Sequence, residues 1–222
     1  MNTASKSNVV RLSHVLEKEY GTISWCPRRD AINELVYTIL SQHTSDINSE
    51  RAFDNLITHF ESIEAISNAD ILEIQQCIKT AGLHKIKAER IKKVLNIIDA
   101  RIGGFDLSFL AEMPLEIAKS WLKSLPGIGP KTAAIVLCFS FGMPAMPVDT
   151  HIYRVSRRLG LIDSKASADK AHDLMEKIVD PDKIFPFHMY LIKHGRKVCK
   201  ALKPRCNECV VASMCPSRLK LS

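Results

Sequence analysis

The sequence predicts an all-α protein. Three observations carry that expectation: apolar residues recur at helical spacing along nearly the whole chain, no stretch alternates apolar and polar residues convincingly, and glycine, proline or capping residues fall where the apolar stripes stop. Ile32, Leu35, Val36, Ile39 and Leu40 give the first clear helical face, and Ala52, Phe53, Leu56, Ile57 and Phe60 continue the pattern after Asp46. Ser67 and Asp70 resemble a capping box ahead of the face made by Ile71, Leu72, Ile74 and Ile78, and Gly82 is expected to end that helix. Ile91, Val94, Leu95 and Ile98 mark the next helix, which should stop near Gly103-Gly104. Ile117, Ala118, Trp121, Leu122 and Leu125 mark another, and Ala171, Leu174, Met175 and Ile178 one more, halted by Asp180-Pro181.

With 222 residues, 46% of them hydrophobic, the chain can bury a core in one domain or two small ones. No apolar run reaches the ~18 residues of a membrane span, and Met1–Arg11 lacks the apolar stretch of a secretory signal, so an intracellular, cytoplasmic protein is expected. The net charge of +7 is concentrated. Between Lys183 and Asn207 there is no acidic residue, and Lys183, Lys193, Arg196, Lys197, Lys200, Lys203 and Arg205 account for the whole excess. A dense basic segment suits a polyanion, because each neutralised phosphate releases counterions. A plain solvated surface is the alternative. Aromatic residues make up only 6%, which favours a duplex binder over a single-strand stacking platform.

Leu125-Pro126-Gly127-Ile128-Gly129-Pro130-Lys131-Thr132-Ala133 is the most informative segment. A helix should end at Leu125, the Pro-Gly-Ile-Gly element should turn tightly, and Pro130 should open a second helix at its first position. Gly127 and Gly129 allow backbone N–H groups to face outward at a helix start, which makes a phosphate cradle. An ordinary turn between helices is the plainer reading. Lys131 lies in the first helical turn, where the macrodipole disfavours a positive charge. A lysine there either pairs with phosphate or serves as a nucleophilic amine. Eighteen residues later, Asp149 precedes a helix carrying Ile152, Val155 and Leu159 on one face. It is suited to N-capping, and a carboxylate near a nucleophilic lysine also polarises it or stabilises a cationic sugar.

Of the seven cysteines, Cys26, Cys77 and Cys138 are isolated and read as small core residues. Cys199, Cys206, Cys209 and Cys215 crowd together, with gaps of six, two and five residues. In an intracellular chain such a cluster points to a metal centre rather than disulfides. Spacing alone leaves zinc open, although four-cysteine zinc sites usually carry two close pairs and this one has a single pair.

The segments LPGIGPKTA and VDTHIYRVSRRLG together resemble the helix-hairpin-helix-GPD DNA glycosylase superfamily, and most closely its endonuclease III family. The resemblance runs from about residue 12 to 216. It implies that Lys131 is the nucleophile and Asp149 its catalytic partner. A serine at the lysine position would have pointed to a monofunctional adenine glycosylase. LIKHGRKVC and the cysteine spacing also resemble that family, which implies one [4Fe–4S] cluster on Cys199, Cys206, Cys209 and Cys215. The basic loop with Lys200, Lys203 and Arg205 would then be clamped for DNA contact. Ser41-Gln42-His43-Thr44-Ser45-Asp46 resembles the loop that fills the gap opposite an extruded base. The family's usual glutamine position holds His43 here, with Gln42 just before it. Leu83, in AGLHKIKA, matches an inserting wedge.

The resemblance implies two helical domains flanking a DNA-binding groove. A six-helix domain with the helix-hairpin-helix is expected over 23–142, and an iron–sulfur domain over 1–22 and 143–222, with the hairpin and Lys131 at the groove. The implied activity is a bifunctional DNA glycosylase and AP lyase, acting as a monomer on double-stranded DNA with damaged bases, oxidised pyrimidines above all, or abasic sites. The alternatives are a monofunctional glycosylase for mismatched or alkylated bases, a non-catalytic DNA-binding scaffold and a small iron–sulfur electron carrier.

Overall fold

The computed structural model describes residues 6–163 and 165–218. The outer limits expected for the domains, at residues 1 and 222, lie outside the described residues, as does the start of the polar N-terminal stretch. The helices are α1 (Lys6–Tyr20), α2 (Ala31–Ser41), α3 (Asp46–Phe60), α4 (Ile63–Asn68), α5 (Ile71–Cys77), α6 (His84–Ile102), α7 (Leu115–Lys123), α8 (Pro130–Phe141), α9 (Thr150–Arg158), α10 (Ala168–Ile178) and α11 (Ile184–Lys197). Short 3-10 turns lie among them, and no strand occurs among the described residues, so the all-α expectation holds. No helix of the described residues is long and apolar enough to cross a membrane. The chain divides into two compact units, one made of Pro27–Phe141 and the other of Met1–Cys26 with Gly142–Ser222.

Side-chain caps explain many helix starts. Asp30, Ser45, Ser62, Asp70, Asp149 and Ser167 each accept a hydrogen bond from a backbone N–H two or three residues on. Ser45 caps α3. One detail differs from the sequence reading. Asp70 alone caps α5, because Ser67 belongs to the separate short helix α4 and its hydroxyl bonds Asn96 at 2.8 Å. That six-residue helix also raises the count in the 27–141 unit to seven α-helices among the described residues, where six are expected. Of the isolated cysteines only Cys138 is a core residue; Cys77 is half-buried and Cys26 exposed.

The 27–141 unit is organised by α2 packed on α8. Leu35, Val36, Ile39 and Leu40 are fully buried, as are Ala133, Val136 and Leu137, and the small Ala133 and Ala134 permit close approach. The pair is antiparallel. Arg28, just before α2, donates its N–H to Phe139 O near the end of α8 at 3.4 Å. Its guanidinium lies 4.6 Å from the Phe139 ring. At the opposite end, Gln42 Nε2 donates to Thr132 Oγ1 at 3.4 Å. The loop after α2 and the hairpin before α8 therefore share one end of the unit.

In the other unit, α1 and α9 pack against α11. Leu12 and Leu16 of α1, Ile152 and Val155 of α9, Met175 of α10 and Phe187 and Leu191 of α11 are buried. Gly195 allows α9 to approach α11, since a Cβ there would sit 3.0 Å from His151 Cβ.

The buried Glu34–Arg28 pair anchors the entry to α2. Glu34 is fully buried, accepts from Arg28 Nε at 2.9 Å and from Arg28 Nη2, and is 3.3 Å from Thr38 Oγ1. Arg28 also stacks on Tyr37, and the Glu34 charge holds the guanidinium pKa up against the lowering effect of burial. Glu34→Ala should cost about 2 kcal/mol in urea unfolding, less than the ~3–5 kcal/mol of a fully buried pair because Arg28 is partly open to water. A loss under ~0.5 kcal/mol would show the pair to be dispensable.

Candidate active site and nucleic-acid interface

The hairpin forms as its residues dictate. After α7 ends, Leu125 O accepts from Ile128 N at 3.2 Å, and Gly127 takes φ 76°, a conformation that favours glycine. A Cβ on Gly127 would also lie 2.3 Å from Arg90 Nε. Pro130 begins α8 and has no N–H. Ala133 is the first residue of α8 whose N–H finds a backbone acceptor, Gly129 O at 3.0 Å. Among the described residues the N–H groups of Gly129, Lys131 and Thr132 find no backbone acceptor, which leaves orphan donors at a helix start, the arrangement that binds anions. Lys131 is exposed beside them, while Thr132 is buried.

The two expected probing loops reach the same end of this unit. His43 is exposed with φ 54°, and Leu83 is 55% exposed with φ 46°. Gln42 faces inward instead. It accepts from Arg90 Nη1 and donates to Thr132, so it bridges α6 to the start of α8. The structure therefore separates Gln42, which braces the hairpin, from His43, which faces solvent.

The other unit carries Asp149 and the cysteines. Asp149 is half-buried and caps α9, accepting from Ile152 N at 2.7 Å. Buried His172 and His188 hold the segment leading to it, through Met146 O at 2.8 Å and Pro147 O at 2.9 Å. Glu176 Oε1 accepts from Met146 N at 2.8 Å. Nothing in the sequence marks these three as braces, because the pairing is long-range.

Cys199, Cys206, Cys209 and Cys215 line one cavity with apolar walls from Leu159, Val198 and Ala212. Burial, and secondarily the charges of neighbouring cysteines, push the Cys209 and Cys215 thiols up. Arg158 Nη1 donates to Cys199 Sγ at 3.4 Å, and Cys209 Sγ lies 3.5 Å from His194 Nε2. Burial lowers the His194 pKa to about 4 and keeps it neutral, with Nδ1 2.9 Å from the Tyr20 hydroxyl. Among the described residues no group of three or more His, Cys, Asp or Glu side chains is gathered as a single-ion site. Lys200, Lys203 and Arg205 are exposed on the loop between the first two cysteines, with Arg205 3.4 Å from Glu208.

Residues 36–181 match the model of the HhH-GPD superfamily of base excision DNA repair proteins. The chain is 36% identical to endonuclease III of Bacillus subtilis over 183 residues, 82% of this chain and 80% of that one. It is 33% identical to endonuclease III of Thermotoga maritima over 186 residues, 84% and 83% of the two chains. The chain belongs to the endonuclease III family of that superfamily. Among solved structures, a trapped endonuclease III–DNA covalent intermediate matches with a TM-score of 0.83 at 26% identity, covering 98% of this chain and 99% of that one. A thermostable thymine-DNA glycosylase shares the fold, with a TM-score of 0.81 at 24% identity over 97% and 98% of the chains. Within the endonuclease III family frame, two residues absent from the sequence reading matter here: Arg90 and Lys87, both on α6. A cation every three residues on an amphipathic helix reads as a solvated face, yet Lys87 is only 2% exposed.

The two hairpin glycines make separable demands. Gly127→Ala should destabilise the protein by ~1–2 kcal/mol through its left-handed backbone and displace Arg90. Gly129 has no positive φ, and a Cβ there meets nothing within 4 Å. Gly129→Ala should therefore melt like the parent yet bind duplex DNA more weakly, because the methyl group obstructs phosphate approach. Unchanged affinity in a salt titration would remove Gly129 from the cradle.

Proposed function

We infer that the protein is a base excision repair DNA glycosylase with AP lyase activity, acting on oxidised pyrimidines and abasic sites in duplex DNA. The observation that carries this reading is the exposed Lys131 amine set directly beside the orphan N–H donors of the hairpin. Those donors suit a DNA phosphate, and the lysine next to them is placed for the sugar. Lys131 Nζ attacks C1′ of the flipped nucleotide and forms a C–N bond as the base leaves. Ring opening gives an imine, which acidifies the C2′ proton. Loss of that proton to water breaks the C3′–O bond, expels the 3′ strand as its 5′-phosphate and so cuts the strand 3′ to the lesion. Asp149, fixed at the start of α9, supports lysine activation and the cationic sugar. His43 is assigned to the orphan base, Leu83 to the stack vacated by the flipped nucleotide, and Gln42 to supporting the hairpin behind them.

The donor set fits one [4Fe–4S] cluster: four cysteine thiols line one cavity with apolar walls. From Cys199 to Arg218 only Val211 is buried, so the segment has little apolar burial of its own to offset its ordering entropy. When bound, the cluster supplies that cross-link and presents Lys200, Lys203 and Arg205 to phosphates. Purified protein should contain iron and sulfide in near-equal amounts, and Cys206→Ala should lose both and expose the basic loop to protease. Stoichiometric zinc without iron would overturn the cluster.

Borohydride trapping tests the enzyme assignment. Borohydride added during turnover on thymine glycol duplex should join protein to DNA through the peptide containing Lys131. Lys131→Gln should fold and bind yet neither trap nor nick, and Asp149→Asn should bind with excision much reduced. Wild-type rates of base release from Lys131→Gln would make water the nucleophile. Failure of the parent protein to trap even on a plain abasic site would remove the lyase step.

A further inference from the structure

Both exposed probing residues hold a left-handed backbone, at His43 and at Leu83 after Gly82. Such a conformation costs a non-glycine residue ~1–2 kcal/mol and persists only where the surroundings impose it. The group placed to impose it on both loops is the side chain of Lys87. Its Nζ donates to Leu40 O at 2.7 Å, Thr44 Oγ1 at 2.6 Å and Ala81 O at 2.9 Å. Thr44 Oγ1 also donates to Ala81 O, which joins one loop to the other directly. Three N–H groups meet three acceptors, and the side chain is almost wholly enclosed. Burial, and then the Arg90 charge, lower the Lys87 pKa to about 8, so the ammonium persists at neutral pH.

The location of the acceptors is what matters. Leu40 lies in the last turn of α2, Thr44 follows His43, and Ala81 lies two residues before Leu83. A buried ammonium is a costly way to fill space, and an apolar side chain of the same volume is often as stabilising. Its advantage here is geometric, because one charged atom fixes the carbonyls of Leu40 and Ala81 and the hydroxyl of Thr44 at once. Arg90, one turn further along α6, extends the same face to Gln42 and so to the hairpin helix. We propose that Lys87 is a positioning residue that locks the His43 loop and the Leu83 loop into one rigid unit, so that the orphan-base contact and the wedge enter the duplex together. The proposal rests on the reading of His43 and Leu83 as DNA-probing residues given above.

Lys87→Met and Thr44→Val test it from the two sides of the network, each keeping approximate shape while removing donors or the hydroxyl. Base excision from thymine glycol duplex is measured at single turnover, beside incision of a pre-formed abasic site in the same duplex, at a temperature well below each variant's melting point. The abasic substrate has no base to extrude, so the ratio of the two rates isolates duplex probing from folding. In Lys87→Met the ratio should fall roughly tenfold, because small misplacements of positioning groups are costly in rate. Thr44→Val should lower it in the same direction, and both should flatten the dependence on the opposite base. Leu83→Ala added to Lys87→Met should give less than the product of the single effects, since both act through one loop. A parental ratio in both variants, with only the melting point lowered, would make Lys87 a stability residue and overturn the proposal. Should Lys87→Met not fold, Thr44→Val decides alone. Leu83→Ala and His43→Ala separate the two levels. If they shift the ratio and the opposite-base profile while Lys87→Met and Thr44→Val do not, only the role of Lys87 falls. If they change neither, the probing assignment falls and the proposal with it.

Discussion

The antiparallel packing of α2 on α8 is the constraint on which the 27–141 unit depends. Because the end of one helix lies beside the start of the other, the segment after Ser41 and the hairpin before Pro130 are neighbours without any contact being designed for each alone. The buried face of α2 and the nearly all-round apolar α8 leave this pair one way to sit. Arg28 at the far end, held by Glu34 and stacked on Phe139, fixes the register of the pair from below. The beginning of α6 then joins the same end through Lys87 and Arg90. The exposed Lys131 amine, the N–H donors of the hairpin and the exposed side chains of His43 and Leu83 therefore share one end of the unit as a consequence of where three helices begin and end.

That arrangement explains why the polar groups behind the site are so fully engaged. A buried polar group without a partner is costly, and a network is worth keeping only when nearly every member is satisfied. Gln42 uses both ends of its amide, and Lys87 uses all three donors. Lys131, by contrast, is exposed. The division is between side chains that build the platform and side chains that leave it.

Much of this was legible from the sequence, for local reasons. Helix periodicity, the Pro-Gly-Ile-Gly turn and capping by Asp149 all depend on neighbours within one or two turns. Pro130 at the first position of α8 and Gly103 at φ 68° after α6 follow the same logic. The gathering of the four cysteines at one cavity was legible too, because they lie within one short segment. What escaped was long-range. Ser67 looks like part of a cap until Asn96, on α6, is seen to take its hydroxyl. Lys87 looks like one more solvated cation in a basic helix until Leu40 and Ala81 close over it. Gln42 adjoins His43 in the sequence, and nothing there shows that its amide meets Arg90 and Thr132. The arginines of α9 have long-range partners as well: Arg154 and Arg158 donate to Gly195 O, Cys199 O, Lys200 O and Ala201 O.

Those arginines and Lys87 solve one problem. The last carbonyls of a helix have no partner within it, and helices commonly meet the need with a left-handed glycine that turns the chain away. Gly103 does so after α6. Neither α2 nor α11 ends on a glycine: their C-caps are Gln42 and Val198, both with negative φ. In each case a cation from a neighbouring helix takes the carbonyls instead, Lys87 at Leu40 O and Arg154 at Gly195 O. The positive charge also complements the negative end of the helix dipole. Freed from the need to form a glycine cap, the chain beyond each helix can carry a working loop: His43 and Thr44 after α2, and Cys199 with its basic residues after α11. The borrowed cap has a further effect. It makes the position of each loop depend on a second helix, α6 for one and α9 for the other, so each loop is held against the body of its own unit rather than only by its tether.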